Sequence, residues 1–147
     1  MCIRDRLKAA YLKVCKANSI DGLNLFAQVA LMAAYTEQGK QWRDELLNHF
    51  SENINTLETF FAREFPQLKV MRPEAGYLVW LDFRQMFSNH QQLKEWLVNN
   101  AKLGLNDGES FAGSSQTGTG FMRINLAVSK QTLNQALKQL TQAKLSL

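Results

Sequence analysis

The residue best suited to bind an anion is an arginine that stands in a short apolar run, "GFMRINLAV" (residues 120–128). On a strand, alternate side chains face opposite sides. Arg123 and Asn125 therefore share one face, and the core-facing set is Met122, Ile124, Leu126 and Val128. A guanidinium stays charged at physiological pH, and its planar fork binds a carboxylate through two parallel hydrogen bonds. One interpretation is that Arg123 binds a carboxylate, with Asn125 on the same face as its support.

A long loop precedes this strand and is rich in Gly, Ser, Thr and Asn. Its glycines match neither spacing typical of a phosphate-binding loop, and the loop leads into a strand rather than into a helix. We interpret it as a movable lid over a site bounded by Arg123. The alternative is that Arg123 lies on a solvated face or pairs with a local carboxylate, Asp82 or Glu109.

Composition favours no nucleic-acid partner and no metal. The 147 residues carry a net charge of +4 without a run of three basic residues. The two cysteines, Cys2 and Cys15, show no paired spacing, which predicts free thiols in a reducing compartment. Because His49 and His90 are far apart in the sequence, no zinc site is predicted. No apolar run reaches the roughly 20 residues of a membrane helix, so we expect a cytoplasmic protein.

The first half of the sequence reads as two helices that must position the site. In the segment 25–35, apolar residues lie on most sides of the predicted helix, as in a largely buried helix. Gly39 is expected to end this helix in a left-handed cap. A longer helix then carries apolar residues at steps of three or four as far as Phe65, and Pro66 stops it. Its length is typical of a helix that links two domains.

The second half alternates strands and helices, which predicts an α+β fold with helices packed on a short sheet. The expected order is helix, long helix, strand, strand, helix, loop, strand, helix. The predicted elements are strands Leu68–Met71, Gly76–Phe83 and Gly120–Val128, a helix capped by Ser88 and ended by Gly104, and a last helix capped by Ser129 and lined by Leu133, Leu137, Leu140 and Leu147.

Three motifs in register resemble a known family. "PEAGYLVWLDF", "GLNDGESF" and "GFMRINLA" follow one another as in the carboxy-terminal part of class I/II aminotransferase-like, fold type I enzymes that use pyridoxal 5′-phosphate. The similarity is closest to the carbon–sulfur lyases of the cystathionine β-lyase type. "LNLFAQVALMAAYTEQGKQWRDELLNHF" is similar to the helical pair that leads into the family's small domain, so the resemblance covers roughly residues 7–145.

The resemblance implies roles for two residues. Arg123 matches the family arginine that binds the substrate α-carboxylate, and Tyr77 falls where the family lines the substrate pocket, although a packed core tyrosine is an equal alternative. Trp80 is expected in the core. The family's cofactor lysine lies in a Ser-x-x-Lys setting, and no lysine of this chain has a serine three residues before it. We therefore expect no catalytic and no cofactor-binding residue in the chain.

The resemblance also implies a division of the chain and a function. Residues 1–6 are polar and unpatterned and are expected to be non-native, 7–38 to be the tail of the large cofactor-binding domain, 39–65 the linking helix and 66–147 the small domain. The implied whole protein is a homodimeric lyase that cleaves the C–S bond of cystathionine or a related sulfur amino acid, and this chain alone would be inactive. The alternatives are an aminotransferase on the same fold and, in a different class, a non-catalytic α+β binding module.

Overall fold

The computed structural model describes residues 5–20, 22, 24–113 and 117–146. The chain divides into two compact units, residues 1–45 and 46–147. Among the described residues, no helix is both long enough and apolar enough to cross a membrane.

The first unit is helical. Helix α1 spans Asp5–Ala17 and was not among the predicted elements; its Cys15 is a buried, free thiol, whereas Cys2 lies outside the described residues. Helix α2 spans Leu25–Ala34 and begins where the Asn24 side chain accepts a hydrogen bond from the Phe26 N–H at 2.8 Å.

The cap predicted at Gly39 is wrong. Helix α2 ends at Ala34, and Gly39 already belongs to helix α3, Glu37–Glu64, with a negative φ. A side chain at position 39 would collide with the carbonyl oxygens of Ala33 and Ala34. The glycine is therefore needed for a close approach between two helices rather than for a left-handed turn.

Helix α3 confirms the prediction of one long amphipathic helix that stops before Pro66. It has 28 residues and ends at Glu64. Its apolar side packs into the core of the second unit, and its buried residues are Phe50, Asn53, Ile54, Leu57, Phe60 and Phe61.

The second unit contains a four-stranded antiparallel sheet in the order β1-β2-β4-β3. The strands are β1 Lys69–Met71, β2 Leu78–Asp82, β3 Asn106–Asp107 and β4 Phe121–Asn125. Strand β4 is shorter than the predicted run Gly120–Val128, and β3 was not predicted. Gly76, with φ +80°, allows the predicted turn between β1 and β2.

Two helices complete this unit and confirm the α+β class. Helix α4, His90–Glu95, continues into a π-helical turn, Trp96–Asn100, and helix α5 spans Lys130–Ala143. Together with α3 they cover one face of the sheet. The described core includes Val79, Leu81, Met122, Ile124, Leu126, Leu133, Leu137 and Leu140, whereas Leu147 lies outside the described residues.

The ends of α4 differ from the prediction at both termini. The N-cap is Asn89 rather than Ser88, because the Asn89 amide oxygen accepts hydrogen bonds from the N–H groups of Gln91 and Gln92. The helical segment ends before Lys102, which adopts φ 55°, so that Gly104 is not its stop. The cap predicted for α5, Ser129, is confirmed by its bond from the Thr132 N–H at 3.1 Å.

Candidate carboxylate-binding site

Arg123 lies in the middle of β4, on the sheet face opposite the helices. Its register partners are Trp80 on β2 and Asn106 on β3. Trp80 was expected in the core, but it is only half-buried and its ring packs edge-on against Phe111 at a centroid distance of 5.5 Å. The alternation predicted for β4 thus holds, since Met122 and Ile124 are buried on the helical side.

The guanidinium of Arg123 is held by an aromatic ring and an amide. Its Cζ lies 4.2 Å from the centroid of the Phe111 ring and 5.9 Å from that of Trp80. Nη2 donates a long hydrogen bond of 3.5 Å to the Asn106 side-chain oxygen. Nε is buried and has no hydrogen-bond partner among the described residues. A buried donor without an acceptor costs about 1–3 kcal/mol, which an incoming anion can recover.

The two carboxylates that were considered as local partners of Arg123 are engaged elsewhere. Asp82 accepts hydrogen bonds from Nε of Arg84 at 2.9 Å and from its Nη2 at 2.7 Å. Glu109 accepts one from the Thr119 hydroxyl at 2.9 Å. Within the described part of the chain, no carboxylate pairs with Arg123, and the local ion pair is therefore not formed.

Asn125 shares a cleft with Arg123, and Tyr77 does not. The cleft has a volume of about 250 Å³ and is lined by Asn106, Arg123 and Asn125 together with residues of α5. The Asn125 side-chain oxygen accepts from the Ala127 N–H at 2.8 Å rather than contacting the guanidinium. The Tyr77 ring packs on Phe50 of α3, with centroids 5.1 Å apart, on the helical side of the sheet. Their roles in substrate binding stay predictions.

An apolar cleft of about 290 Å³ adjoins the guanidinium. Trp80 and Phe111, the two rings beside Arg123, form part of its wall. Its other described lining residues are Met71, Gly108, Ala112, Thr117, Gly118 and Phe121. A cation next to an apolar cleft suits a molecule with a carboxylate at one end and an apolar side chain at the other.

The loop between β3 and β4 starts and ends at closely fitted glycines. A side chain at Gly118 would collide with the backbone of Gly108, and one at Gly120 with the Arg84 side chain. Gly120 also has φ +80°. Residues 114–116, in the middle of the segment, lie outside the described residues. Closure of this loop as a lid stays a prediction.

A buried histidine, which sequence reasoning did not assign to the site, connects the two ends of this loop. His90 Nε2 lies 2.7 Å from Asp107 Oδ1, and His90 Nδ1 accepts a hydrogen bond from the Gly120 N–H at 2.9 Å. Lys94 Nζ lies 2.7 Å from the other oxygen of Asp107. The available signal was the His90–Lys94 spacing of one helical turn, which puts both side chains on one face of α4.

The charges around Asp107 lower its pKa from 3.8 to about 2. Partial burial raises the pKa, but hydrogen bonds from Lys94 and His90 and from the Glu109 N–H favour the carboxylate and outweigh the burial. The ligand atoms of His90, Asp107 and Glu109 lie within 4.8 Å of one another, close enough to hold a metal ion. Both ring nitrogens of His90 are already bonded and an ammonium occupies Asp107, so these groups satisfy one another.

Comparisons with known proteins agree with this fold. No model of a protein family matches the chain. Cystathionine β-lyase PatB of Bacillus subtilis is 37% identical over 142 residues, which are 96% of this chain and 36% of the relative. The PLP-bound putative aminotransferase of Clostridium difficile 630 has a TM-score of 0.80 at 32% identity, covering 90% of this chain and 33% of that one. The PLP-bound C–S lyase of Staphylococcus hominis, complexed with the inhibitor L-cycloserine, has a TM-score of 0.74 at 27% identity, covering 92% and 32%.

The chain spans about a third of the length of the curated relatives it matches. It belongs to the fold type I family of pyridoxal-phosphate enzymes, which includes cystathionine β-lyases, C–S lyases and aminotransferases, and it corresponds to the carboxy-terminal part of these enzymes. The resemblance of the three motifs is thereby confirmed.

The absence of a cofactor-binding residue from this chain stays a prediction. A Schiff base requires a lysine in a protected pocket, but every described lysine is exposed except Lys94, which is half-buried and pairs with Asp107. The residues present fit an anionic substrate group instead, because Arg123 has a buried donor without an acceptor.

Proposed function

We propose that the enzyme to which this chain belongs is a pyridoxal-phosphate-dependent lyase that cleaves the C–S bond of cystathionine or a related sulfur amino acid. In it, this chain contributes the site for the substrate α-carboxylate. The observation that carries this role is the buried, unpartnered Nε of Arg123 on the open face of the sheet. The names of the relatives, a cystathionine β-lyase and a C–S lyase, support the reaction class.

Each residue around Arg123 contributes to binding. The guanidinium forms two hydrogen bonds with the α-carboxylate, while Phe111 and Asn106 restrain its rotation. The cleft beside Trp80 and Phe111 accommodates the apolar, sulfur-containing side chain of the substrate. Asn125 lines the same cleft as Arg123, and it supports the arginine only if its side-chain oxygen leaves the Ala127 N–H. Tyr77 reaches the substrate only if its ring leaves Phe50.

Orientation is the contribution of this chain to the chemistry. Pyridoxal 5′-phosphate, when bound to the whole enzyme, supplies the electron sink for breaking bonds at the α-carbon. The residues described here hold the carboxylate and thereby fix the direction of the bond that is to break. The described residues that line the apolar cleft are uncharged, and we place the catalytic residues in another part of the enzyme.

An aminotransferase is the second candidate, because the solved C. difficile relative is called a putative aminotransferase. Such an enzyme uses the same carboxylate contact, so Arg123 does not separate the two. A product assay does: pyruvate and ammonia indicate the lyase, whereas transfer of the amino group to a keto acid indicates the transferase.

Three further features belong to this proposal. The whole enzyme is a cytoplasmic homodimer that binds a small amino acid and no nucleic acid. Residues 7–38 are the tail of its large domain, and residues 66–147 form its small domain. Residues 39–65 link the two domains.

The test replaces Arg123 in the complete enzyme. Arg123→Lys keeps the charge but loses the two-pronged geometry. Loss of one partner of a desolvated charged pair costs about 2–5 kcal/mol, which is roughly a 30- to 5,000-fold loss of affinity. We expect a loss of this order in kcat/KM for amino acids and a much smaller loss for an amine analogue that lacks the α-carboxylate.

The matched control is Arg84→Lys. Arg84 is the other arginine that lies over an aromatic ring of the second unit, with its Cζ 4.6 Å from the centroid of Phe121, but its partner is Asp82. This variant should treat the two substrates as the parent enzyme does. If Arg123→Lys reduces turnover of both substrates equally, or releases the cofactor, then Arg123 is a structural residue and the proposal is wrong.

A further inference from the structure

His90 connects the beginning and the end of the loop that separates β3 from β4. It is the first residue of α4 and only 9% exposed. One of its ring nitrogens contacts Asp107, the last residue of β3, and the other contacts Gly120, which immediately precedes β4. A single buried side chain thus spans the 13-residue distance between these two positions of the sequence.

The hydrogen-bond directions fix the tautomer of His90. The Gly120 backbone is a donor, so Nδ1 must accept and carries no proton. Nε2 then carries the proton and donates a hydrogen bond to the Asp107 carboxylate. The charged groups that face this ring are Asp107, Glu109, whose Oε2 is 3.8 Å from Nε2, and Lys94, which acts through Asp107. A neutral ring satisfies both of its neighbours.

Both restraints on Arg123 lie in the short segment 106–111, which contains Asp107. Asn106, which accepts from the guanidinium, is the residue before Asp107. Phe111, which stacks on the guanidinium, ends a 3₁₀ helix that the Asp107 side chain caps through the Glu109 N–H at 2.9 Å. Movement of Asp107 therefore displaces the amide and the ring together.

Gly120, at the other end of the loop, determines where β4 starts. Gly120 donates to His90, and its carbonyl oxygen accepts from the Phe83 N–H at 2.9 Å. Arg123 follows three residues later, so the position of Gly120 determines where β4 enters the sheet. His90 acts on Arg123 from both sides without touching it.

We propose that His90 is a positioning residue for the carboxylate site: by holding Asp107 and Gly120, it keeps Asn106, Phe111 and β4 in the arrangement that orients Arg123. This inference rests on the proposed role of Arg123 and adds a residue to it. The substrate class it concerns is the α-carboxylate of an amino acid, and no metal is required.

Three variants separate the two hydrogen bonds. His90→Asn places an oxygen near the position of Nδ1 and retains the acceptor for Gly120. His90→Gln places an N–H near the position of Nε2 and retains the donor to Asp107. His90→Leu removes both. Leu140→Ala, a core substitution in α5, serves as a control for general destabilisation.

The first measurement is amide hydrogen exchange in the complete enzyme, which requires no turnover. We expect faster exchange of the Gly120 amide in His90→Leu and His90→Gln, and exchange close to that of the parent in His90→Asn. Leu140→Ala should not speed exchange of the Gly120 amide more than that of other amides. Equal exchange in the Leu and Asn variants would overturn the assignment of His90 as the acceptor for Gly120.

The second measurement is the ratio of kcat/KM for an amino acid to that for the amine analogue without a carboxylate. His90→Leu should lower this ratio by at least about tenfold, because an ångström of displacement is enough to weaken a two-pronged contact. His90→Asn and His90→Gln should fall between His90→Leu and the parent, and Leu140→Ala should leave the ratio unchanged. A ratio that stays at the parent value in His90→Leu overturns the inference and makes His90 a purely structural residue.

The two proposals fail in different ways. If Arg123→Lys lowers the ratio and His90→Leu does not, only the role of His90 is wrong. If Arg123→Lys leaves the ratio unchanged, the carboxylate site itself is wrong and the role of His90 falls with it.

Discussion

Arg123 illustrates how a cation is kept ready for a ligand. A guanidinium in water binds a carboxylate weakly because both groups are hydrated and mobile. Here the aromatic ring of Phe111 replaces part of that hydration and Asn106 limits rotation, while Nε remains without an acceptor. The arrangement lowers the entropy that must be lost on binding, which is how preorganisation increases affinity.

Asp107 should contribute stability that disappears in acid. Its pKa in the folded chain, about 2, is below the ordinary value of 3.8, so the folded state favours the ionised form. A difference of nearly two pKa units corresponds to about 2 kcal/mol. This contribution is complete above about pH 4 and is lost as the pH falls toward 2. We therefore expect Asp107→Asn to lower the free energy of unfolding at pH 7 by about that amount, and the gap to the parent to shrink between pH 4 and 2.

Urea unfolding of the chain at high dilution, followed by tryptophan fluorescence at several pH values, measures this gap. Asp44→Asn is the control, because Asp44 pairs with its neighbour Arg43 and both side chains are at least half exposed. Such pairs contribute little. A gap for Asp107→Asn that persists unchanged down to pH 2 would show that the carboxylate charge is not the source of the stability.

At the scale of the elements, local patterns predicted most helices and strands but not their ends. The periodicity of α3 and the alternation of β4 depend only on residues that are neighbours along the chain, so both could be predicted from the sequence. The predicted N-cap of α4 was Ser88, and the observed one is Asn89. Both residue types can cap a helix, so the residue type alone does not decide between two adjacent positions, which depend on how the helix packs. Lys102 ends the helical segment in a conformation that sequence reasoning would sooner give to glycine.

The part of the site that depends on distant contacts was not predictable. Arg123 could be proposed from the sequence because one strand suffices to define its face, and its role stays a prediction. His90 and Asp107 are 17 residues apart and meet only when α4 packs beside β3, a strand of two residues without a pattern of its own. Trp80 was misplaced because apolar character does not distinguish a core face from a binding face.

The position of the cap gives a test at this scale. Asn89→Ala removes the side-chain acceptor for two N–H groups at the start of α4 and should lower the free energy of unfolding by about 1 kcal/mol. Ser88→Ala, one residue earlier, should change it by only a few tenths of that amount. Because His90 follows the cap directly, Asn89→Ala should also speed amide exchange in the first turn of α4. Equal losses for the two alanine variants, measured by urea unfolding, would contradict the assignment of Asn89 as the cap.

At the scale of the whole molecule, the two units differ in how well they cover their apolar residues. The second unit buries its large side chains between the sheet and helices α3, α4 and α5. Helix α2 in the first unit does not: four of its apolar residues, Leu25, Phe26, Val29 and Met32, and its C-cap Tyr35 are 60–85% exposed. The helix was predicted to be typical of a buried one, and its exposure in this chain shows that the residues described here do not cover it. Contiguous apolar surface of this kind marks an interaction surface or a cause of aggregation.

We therefore expect the isolated 147-residue chain to self-associate through α2. The driving force is burial of apolar surface, at about 25 cal/mol per Å². Light scattering or sedimentation should show a mean mass that rises with protein concentration, and the double variant Phe26→Glu/Met32→Lys should shift the chain toward the monomer without adding net charge. Val98→Lys, which changes an exposed residue of the second unit, is the control and should associate as the parent does. A monodisperse parent chain with one sharp cooperative melt would mean that α2 needs no partner, and the assignment of residues 7–38 to a larger domain would lose its support.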